Sequence, residues 1–234
     1  MIPMYPYYSE QTVCKQEPIT FPPQHQDRQP GLEYLMTPTP ISDNPGYKGS
    51  GKLAGRVAII TGGDSGIGRA VAIAFAKEGA DIAIVYLYER EDAVATQQMV
   101  AKYGGRCLLI EGDLRHPAFS PEVVRRTLEC YGRIDILILN QGVQYPQQSI
   151  MGISDEQLEQ TYRTNIFPMF YMVRSALPHL KPGSAIVSTA SVTAYAGAPL
   201  LVDYSSTKGA IVSFTRSLSL QLVKKGIRVN AVAP

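Results

Sequence analysis

The stretch Arg56-Val-Ala-Ile-Ile-Thr-Gly-Gly-Asp-Ser-Gly-Ile-Gly68 decides the fold. An apolar run, Val57 to Ile60, ends in a glycine-rich turn that leads directly into a helical pattern. Gly62, Gly66 and Gly68 are spaced as Gly-x-x-x-Gly-x-Gly. Glycines permit a tight turn and a close backbone approach, and a helix N-terminus offers free N–H groups to an anion. The stretch therefore predicts a strand, a turn and a helix that together bind a pyrophosphate.

The residues between these glycines complete the predicted site. Asp64 and Ser65 precede the helix, and both residue types commonly cap a helix N-terminus, so we expect them to cap this one. A plain capped turn is the alternative reading of the same residues. The residues predicted to contact the cofactor in this turn are Gly62, Asp64, Ser65, Gly66, Ile67 and Gly68.

A second group of polar residues lies near the C-terminal end. Tyr204 and Lys208 are four residues apart in a helical stretch and therefore share one helix face. A phenol has a pKa of about 10, and a neighbouring ammonium favours the phenolate and lowers that pKa. Ser191 follows an apolar run, which would place its hydroxyl at the carboxyl edge of a sheet, where ligands bind in open α/β folds. A lone Tyr-x-x-x-Lys pair is common in helices, so its interpretation depends on the glycine turn.

Strand and helix patterns alternate from residue 52 onward, which predicts an α/β fold with a doubly wound parallel sheet of the Rossmann type. The expected strand order is 3-2-1-4-5-6, with a dinucleotide at the switch point between strands 1 and 4. The domain is assigned to residues 51–234. The predicted strands are 56–61, 81–86, 106–111, 135–139, 184–190 and 227–232, and the predicted helices are 66–78, 90–103, 120–131, 155–180 and 203–224.

Composition excludes several classes of function. The chain has 234 residues, 45% of them hydrophobic, and a net charge of +2 without a basic face for nucleic acid. Its cysteines, Cys14, Cys107 and Cys130, lack metal or disulfide spacing, so we expect no metal site and a reducing compartment. No apolar run reaches the ~20 residues of a membrane span, and no secretory signal is evident. A cytoplasmic location is the expectation.

Residues 1–50 differ in composition from the rest of the chain. Nine of the 17 prolines lie in residues 1–46, and this segment has no apolar periodicity. Such a composition favours extended conformations over a packed core. Two interpretations stay open: a flexible arm, or an arm that lies along a neighbouring subunit.

From about Gly51 to Pro234 the sequence resembles the short-chain dehydrogenase/reductase family, and within it the bacterial general-stress and glucose/ribitol-dehydrogenase-like oxidoreductases. Three segments carry this resemblance: 47–56 (Tyr-Lys-Gly-Ser-Gly-Lys-Leu-Ala-Gly-Arg), 61–69 (Thr-Gly-Gly-Asp-Ser-Gly-Ile-Gly-Arg) and 188–195 (Ser-Thr-Ala-Ser-Val-Thr-Ala-Tyr).

The resemblance implies roles for four catalytic residues. Tyr204 would be the acid/base, and Lys208 would lower its pKa while binding the nicotinamide ribose. Ser191 would hold the oxygen of a small alcohol or carbonyl substrate, and Asn165 would support a proton-relay water.

Further cofactor contacts are implied by position. Asp113, followed by Leu114, matches the adenine contact after the third strand. Asn140 and Gly142 fall where the family has Asn-Asn-Ala-Gly, although this chain reads Leu139-Asn-Gln-Gly. Together with Tyr204 and Lys208, these residues would line the cofactor.

The sequence leaves NAD and NADP both open. An acid at the end of the second strand selects a free ribose 2′-hydroxyl, and a nearby base accommodates a 2′-phosphate. Tyr86 and Leu87 occupy that position, and they are neither acidic nor basic. Glu89 and Arg90 come later in the sequence.

The family pattern continues past Pro234 with a substrate lid, a helix and a seventh strand, so the resemblance predicts an apparently C-terminally truncated domain. It also implies a homotetramer once that part is restored. The favoured interpretation is an NAD(P)-dependent oxidoreductase that interconverts an alcohol and a ketone or aldehyde. The alternatives are a non-catalytic nucleotide-binding protein and a truncated inactive product.

Overall fold

A computed structural model describes residues 22–234, and it contains one six-stranded parallel sheet with helices on both faces. The strand order is β3-β2-β1-β4-β5-β6, so the predicted fold class and strand order are confirmed. The strands are β1 (Val57–Thr61), β2 (Asp81–Tyr86), β3 (Cys107–Glu111), β4 (Ile136–Leu139), β5 (Ala185–Thr189) and β6 (Arg228–Val232).

The central strands are apolar throughout because helices cover both faces of the sheet. Successive side chains of a strand point to opposite faces. Ile59 therefore packs in a core layer with Met169 and Ile211, while Ile60 packs in the other layer with Ala72.

Seven α-helices connect the described strands or flank them. They are α1 (Gly66–Lys77), α2 (Arg90–Lys102), α3 (Phe119–Tyr131), α4 (Asp155–Asn165), α5 (Phe167–Ala176), α6 (Thr193–Ala196) and α7 (Val202–Leu222). Short 3-10 turns span Glu33–Leu35, Ile150–Gly152, Leu177–His179 and Val223–Lys225. No helix within residues 22–234 is both long and apolar enough to cross a bilayer.

The prediction of a single helix over 155–180 is wrong. Two α-helices, α4 and α5, occupy this segment with an interruption between them, and a 3-10 turn follows α5. Ile166 lies at the break with φ −115° and ψ −53°. Pro168 has no N–H to donate to the carbonyl four residues earlier. Met169 N donates to Ile166 O at 3.0 Å. The carbonyl of Asn165 is therefore left without its usual intrahelical donor.

The N-terminal arm is described from residue 22 onward, and its first part, including Cys14, lies outside the described residues. The described part packs against the chain's own domain. Glu78, at the end of α1, accepts hydrogen bonds from the backbone N–H groups of Ser50 and Lys52 at 3.0 and 2.8 Å. Lys77 Nζ lies 2.6 Å from an Asp43 carboxylate oxygen.

Candidate active site

A cleft of about 540 Å³ opens at the carboxyl edge of the sheet, where β1 through β4 end. Its position agrees with the switch point of a doubly wound sheet. Seven predicted cofactor residues line it: Gly62, Asp64, Ser65, Asp113, Leu114, Asn140 and Gly142. The other residues of the turn, Gly66, Ile67 and Gly68, form the first turn of α1 beside it.

Close packing of the glycine turn explains its residue types. Gly62 has φ +60°, a left-handed conformation that favours glycine. A Cβ on Gly68 would lie 1.8 Å from the carbonyl oxygen of Gly62, which is far inside a permissible contact. The turn therefore folds back onto the start of α1 only with glycine at residue 68.

The capping prediction for Asp64 and Ser65 is wrong. Ser65 occupies the N-cap position, but its hydroxyl donates to Asp64 Oδ2 at 2.8 Å and caps no N–H. The Gly66 N–H donates instead to Glu33 Oε2 of the arm, at 2.6 Å. Burial raises the pKa of the Asp64 carboxyl to about 6.

Asn140 ties three strand ends together at the cleft. Its Nδ2 donates to Gly62 O at 3.0 Å, and its Oδ1 accepts from the Thr189 hydroxyl at 3.0 Å. Its backbone N–H donates to Thr61 Oγ1 at 2.9 Å. Leu139, which stands where the family has its first asparagine, is buried in the core, and Asn140 makes all three of these bonds itself.

Asp113 lies at the wall of the cleft and pairs with Arg115, whose Nη2 is 2.7 Å from Asp113 Oδ2. Burial alone would raise the pKa of Asp113, but the hydrogen bonds from Arg115 outweigh it and hold the pKa below its usual value. The side chain is thereby kept as a carboxylate at the end of β3.

The catalytic candidates follow β5 and begin α7. Lys208 is buried, and its Nζ donates to Thr189 O at 2.7 Å. The same Nζ lies 5.3 Å from the centroid of the half-buried Tyr204 ring. Burial lowers the pKa of Lys208 to about 8. Ser191 is also buried, and its Oγ accepts from the Thr193 N–H at 3.3 Å.

Gly142 joins the cleft to these residues. Ser191, Tyr204 and Lys208 do not themselves line the cleft, whereas Gly142 does. A Cβ on Gly142 would lie 3.7 Å from Lys208 Nζ and 3.5 Å from Asn165 Oδ1. The cleft therefore reaches the buried lysine through a residue without a side chain.

Asn165 is fully buried, and its side chain is committed to structure. Its Oδ1 accepts from Val143 N at 2.8 Å, while its Nδ2 donates to Val143 O and to Thr207 Oγ1 at 3.0 and 3.1 Å. The side chain thus holds the loop after β4 against α7. What Asn165 leaves available is its main-chain carbonyl, at the break between α4 and α5.

Sequence reasoning missed Asp203, which is buried at the start of α7. Its Oδ1 accepts from the Tyr204 N–H at 2.8 Å. Its Oδ2 accepts from Thr161 Oγ1 at 2.9 Å and from Gln157 Nε2 at 3.0 Å. The carboxylate therefore fixes the first turn of α7 against α4. An acidic residue beginning a predicted helix was the signal that could have found it.

Glu89 comes three residues after the end of β2, yet it is buried and lines the cleft. Its Oε2 accepts from the backbone N–H groups of Leu87 and Tyr88 at 3.1 and 3.0 Å. Its Oε1 has no hydrogen-bond partner within the part of the chain that the structure describes. The backbone after β2 turns, so this acid comes back to the strand end. Gln29 and Pro30 of the arm, also missed, line the same cleft.

A doubly wound sheet, a glycine turn at its switch point and an adjoining Ser-Tyr-Lys group define a dinucleotide-dependent oxidoreductase. The family model described as short chain dehydrogenase matches residues 56–234, and the chain belongs to the short-chain dehydrogenase/reductase family. It is therefore an NAD(P)-dependent enzyme.

Relatives named in the same terms agree with the resemblance drawn from the sequence. General stress protein 39 of Bacillus subtilis is 54% identical over 217 residues, which cover 93% of this chain and 76% of that protein. Glucose and ribitol dehydrogenase of Daucus carota is 47% identical, with 92% of this chain and 76% of that protein covered. A short chain dehydrogenase from Burkholderia cenocepacia J2315, solved in complex with NADP, has a TM-score of 0.75 at 33% identity and covers 78% of this chain and 75% of that one.

Proposed function

We propose that this enzyme interconverts an alcohol and a ketone or aldehyde, with Tyr204 exchanging the proton. The observation that carries the proposal is the buried ammonium of Lys208, 5.3 Å from the Tyr204 ring and next to the Gly142 wall of the cleft. A bound nicotinamide supplies or accepts the hydride. The residues of the chain then bind the substrate oxygen and move its proton.

Lys208 would act on Tyr204 through charge. A cation in a poorly solvated position favours the phenolate more strongly than it would in water. In reduction the Tyr204 hydroxyl would donate its proton to the carbonyl oxygen of the substrate, and in oxidation the phenolate would take it from the alcohol. Ser191, at the end of β5, would hold that oxygen by a hydrogen bond.

Two residues would support this group. Asp203 would position Tyr204, because it fixes the backbone N–H of that residue and the start of α7. The free carbonyl of Asn165 would accept a hydrogen bond from a water that resupplies the proton. That carbonyl is available because Met169 N, its usual intrahelical donor, bonds to Ile166 O instead.

We propose further that the enzyme prefers NAD to NADP. The unpaired Oε1 of buried Glu89 is suited to accept a hydrogen bond from a ribose 2′-hydroxyl, and it would repel a 2′-phosphate. Asp64 adds a second buried acid to the same wall. The name of the carrot relative suggests sugars and polyols as the first substrates to test.

Tyr204→Phe tests the proposed chemistry. We expect turnover to fall by about 10²–10⁴-fold, since the variant lacks the proton to exchange. The dissociation constant for NADH should change less than about twofold, since the phenyl ring is kept. The measurements are absorbance decay of NADH and NADPH with a panel of sugars, polyols and small carbonyls, and fluorescence titration of the reduced cofactor.

Tyr103→Phe is the matched control. Tyr103 ends α2 just before β3, at the opposite edge of the sheet, and its hydroxyl donates to Asp43 Oδ2 at 2.6 Å. This variant should keep wild-type turnover. Turnover by the Tyr204 variant equal to that of the control would exclude Tyr204 as the acid/base.

A further inference from the structure

Arm residues Arg28–Glu33, here called the strap, cross the mouth of the cleft. Gln29 and Pro30 line the cleft together with the glycine turn and the loop after β4. The strap touches the domain at three places, each of different strength.

The inner attachment is a buried ionic network. Glu33 carboxylate pairs with the guanidinium of Arg69 and accepts from the Gly66 N–H. The Glu33 N–H in turn donates to Asp92 Oδ2 at 2.7 Å, and Arg69 Nη2 lies 3.3 Å from Asp92 Oδ1. Glu33, Arg69 and Asp92 are 5%, 6% and 2% exposed. Breaking one member of such a network leaves a buried charge unpaired, so this end of the strap is fixed.

The middle attachment is to Tyr88, just after β2. The guanidinium carbon of Arg28 lies 4.1 Å from the centroid of the Tyr88 ring. The Tyr88 hydroxyl donates to the carbonyl oxygen of Pro30. The strap is thereby held over the end of β2.

The outer attachment is a pair of exposed hydrogen bonds. Gln29 Nε2 donates to Gln144 O at 2.5 Å, and Gln29 Oε1 accepts from Gln144 N at 3.3 Å. Gln144 belongs to the loop after β4. Solvent competes for these bonds, so they are the weakest of the three attachments.

These attachments place the strap across the switch point. Tyr88 follows β2 and Gln144 follows β4, and β1 lies between those two strands in the sheet. A segment that reaches from one loop to the other must pass over the glycine turn that ends β1.

We propose that the strap is a cofactor-binding element that closes over the ribose-pyrophosphate part of the dinucleotide and opens at Gln29–Gln144 for its release. The strap hinges on the buried Glu33 network. It releases first at Gln29, where only exposed hydrogen bonds hold it, and then at the contacts of Arg28 and Pro30 with Tyr88. Its role rests on the cofactor alone and is independent of the roles assigned to Tyr204 and Ser191. Lids of this kind set dissociation rates without touching the reacting atoms.

Gln29→Ala removes the outer attachment, and Gln24→Ala is its matched control. Gln24 makes the same kind of amide-to-backbone pair, with Thr37 at 3.0 and 2.9 Å, but within the arm itself. The reduced cofactor that wild type binds more tightly, NADH or NADPH, is displaced from each full-length variant by excess oxidised cofactor. Stopped-flow fluorescence then gives the dissociation rate in the absence of substrate.

We expect the dissociation rate to rise about tenfold in the Gln29 variant, the factor expected when one or two hydrogen bonds are lost, and to stay within twofold of wild type in the Gln24 variant. Equal rates in wild type and the Gln29 variant would overturn the proposal. So would equal acceleration in both variants, because it would reflect general loosening of the arm.

Hydrogen exchange of the unaltered protein provides a second readout. Coupling between two sites is reciprocal, so a dinucleotide that the strap encloses must slow exchange at the amides of residues 28–33. Exchange there that does not change with saturating cofactor, while the glycine turn becomes protected, would refute the strap and leave the cofactor site standing.

Discussion

Lys208→Met removes a buried charge while keeping an unbranched side chain of similar length. Burial lowers the pKa of Lys208 from 10.5 to about 8, so at pH 7 the folded protein holds a cation in a place that disfavours it. At ~1.4 kcal/mol per pKa step, this costs about 3 kcal/mol of folding free energy. The variant also loses the hydrogen bond to Thr189 O, worth about 1.5–3 kcal/mol. We expect a net gain of up to about 1.5 kcal/mol at pH 7.

The pH dependence separates this account from a simple packing effect. The folded-state pKa lies below the unfolded one, so the cost is fully present below pH 8 and disappears as the pH rises toward 10.5. The unfolding free energy of the variant minus that of wild type should therefore fall by about 3 kcal/mol over that interval and change sign, so that the variant is the less stable protein near pH 10.5. Denaturant unfolding at several pH values measures this difference in unfolding free energy. Turnover of the Lys208 variant should fall by at least about 100-fold at every pH.

Lys77→Met is the control for this experiment. Lys77 is also enclosed, but the hydrogen bond that it donates to Asp43 raises the pKa of Lys77. Its replacement should destabilise the protein at pH 7, because Asp43 loses its nearest cation and keeps only the Tyr103 hydroxyl and the more distant Lys102. A Lys208 variant that loses stability as the Lys77 variant does, or whose difference from wild type is constant between pH 7 and 10, would refute the reasoning.

Two further substitutions test the cleft, and a third serves as a control for the first. Gly68→Ala should abolish dinucleotide binding and destabilise the fold by ~3 kcal/mol, since its Cβ would lie 1.8 Å from Gly62 O. Gly209→Ala, within α7, should instead stabilise the protein by ~1 kcal/mol, because its Cβ would meet no atom within 4 Å outside its own helix. Thermal melts and cofactor titration compare the two variants. Equal melting temperatures for the two variants would contradict the expectation. Glu89→Gln keeps the shape of the side chain and removes its charge, so the ratio of kcat/KM for NAD over NADP should drop about tenfold. A wild-type preference for NADP, or an unchanged ratio in the variant, would show that Glu89 does not select the cofactor.

The regular part of the fold was predictable because its signals are local. The strands from β1 to β5 are short apolar runs, since both faces of a parallel sheet are covered. The glycine turn and the spacing of Tyr204 and Lys208 also lie within a few residues along the chain. These local features were enough to predict that the cleft, its glycines and Lys208 lie at one edge of the sheet.

Nonlocal contacts account for what the sequence did not predict. Ser65 has the right side chain for a cap, but a carboxylate more than thirty residues upstream, Glu33, takes the first N–H of α1. The apolar periodicity across 155–180 continued through Pro168, so the pattern concealed a break in backbone hydrogen bonding. Glu89 was discounted by its distance along the chain, although a turn after β2 shortens that distance in space.

Composition alone was least informative for the arm. Its prolines and glutamines indicate an extended chain, and an extended chain is compatible with free movement or with docking. The outcome depends on single side chains with partners far away in sequence. Gln29 hydrogen-bonds to Gln144, and Glu33 contacts Arg69 and Asp92. These partners lie far apart in sequence, so no periodic pattern predicts the contacts.

Among residues 22–234, the buried cations Arg69 and Lys208 have different surroundings, which suit one to a structural role and the other to a functional one. Arg69 is surrounded by acceptors: the carboxylates of Glu33 and Asp92 and the carbonyl oxygen of Asp64, the last at 2.8 Å. Its charge is neutralised, so it can hold the arm but has little field left for a reaction. Lys208 has a neutral carbonyl as its hydrogen-bond acceptor. Its charge is therefore free to act on the Tyr204 ring, whose centroid lies 5.3 Å from Nζ. The stability that this unneutralised charge costs is the reason to expect a catalytic role there.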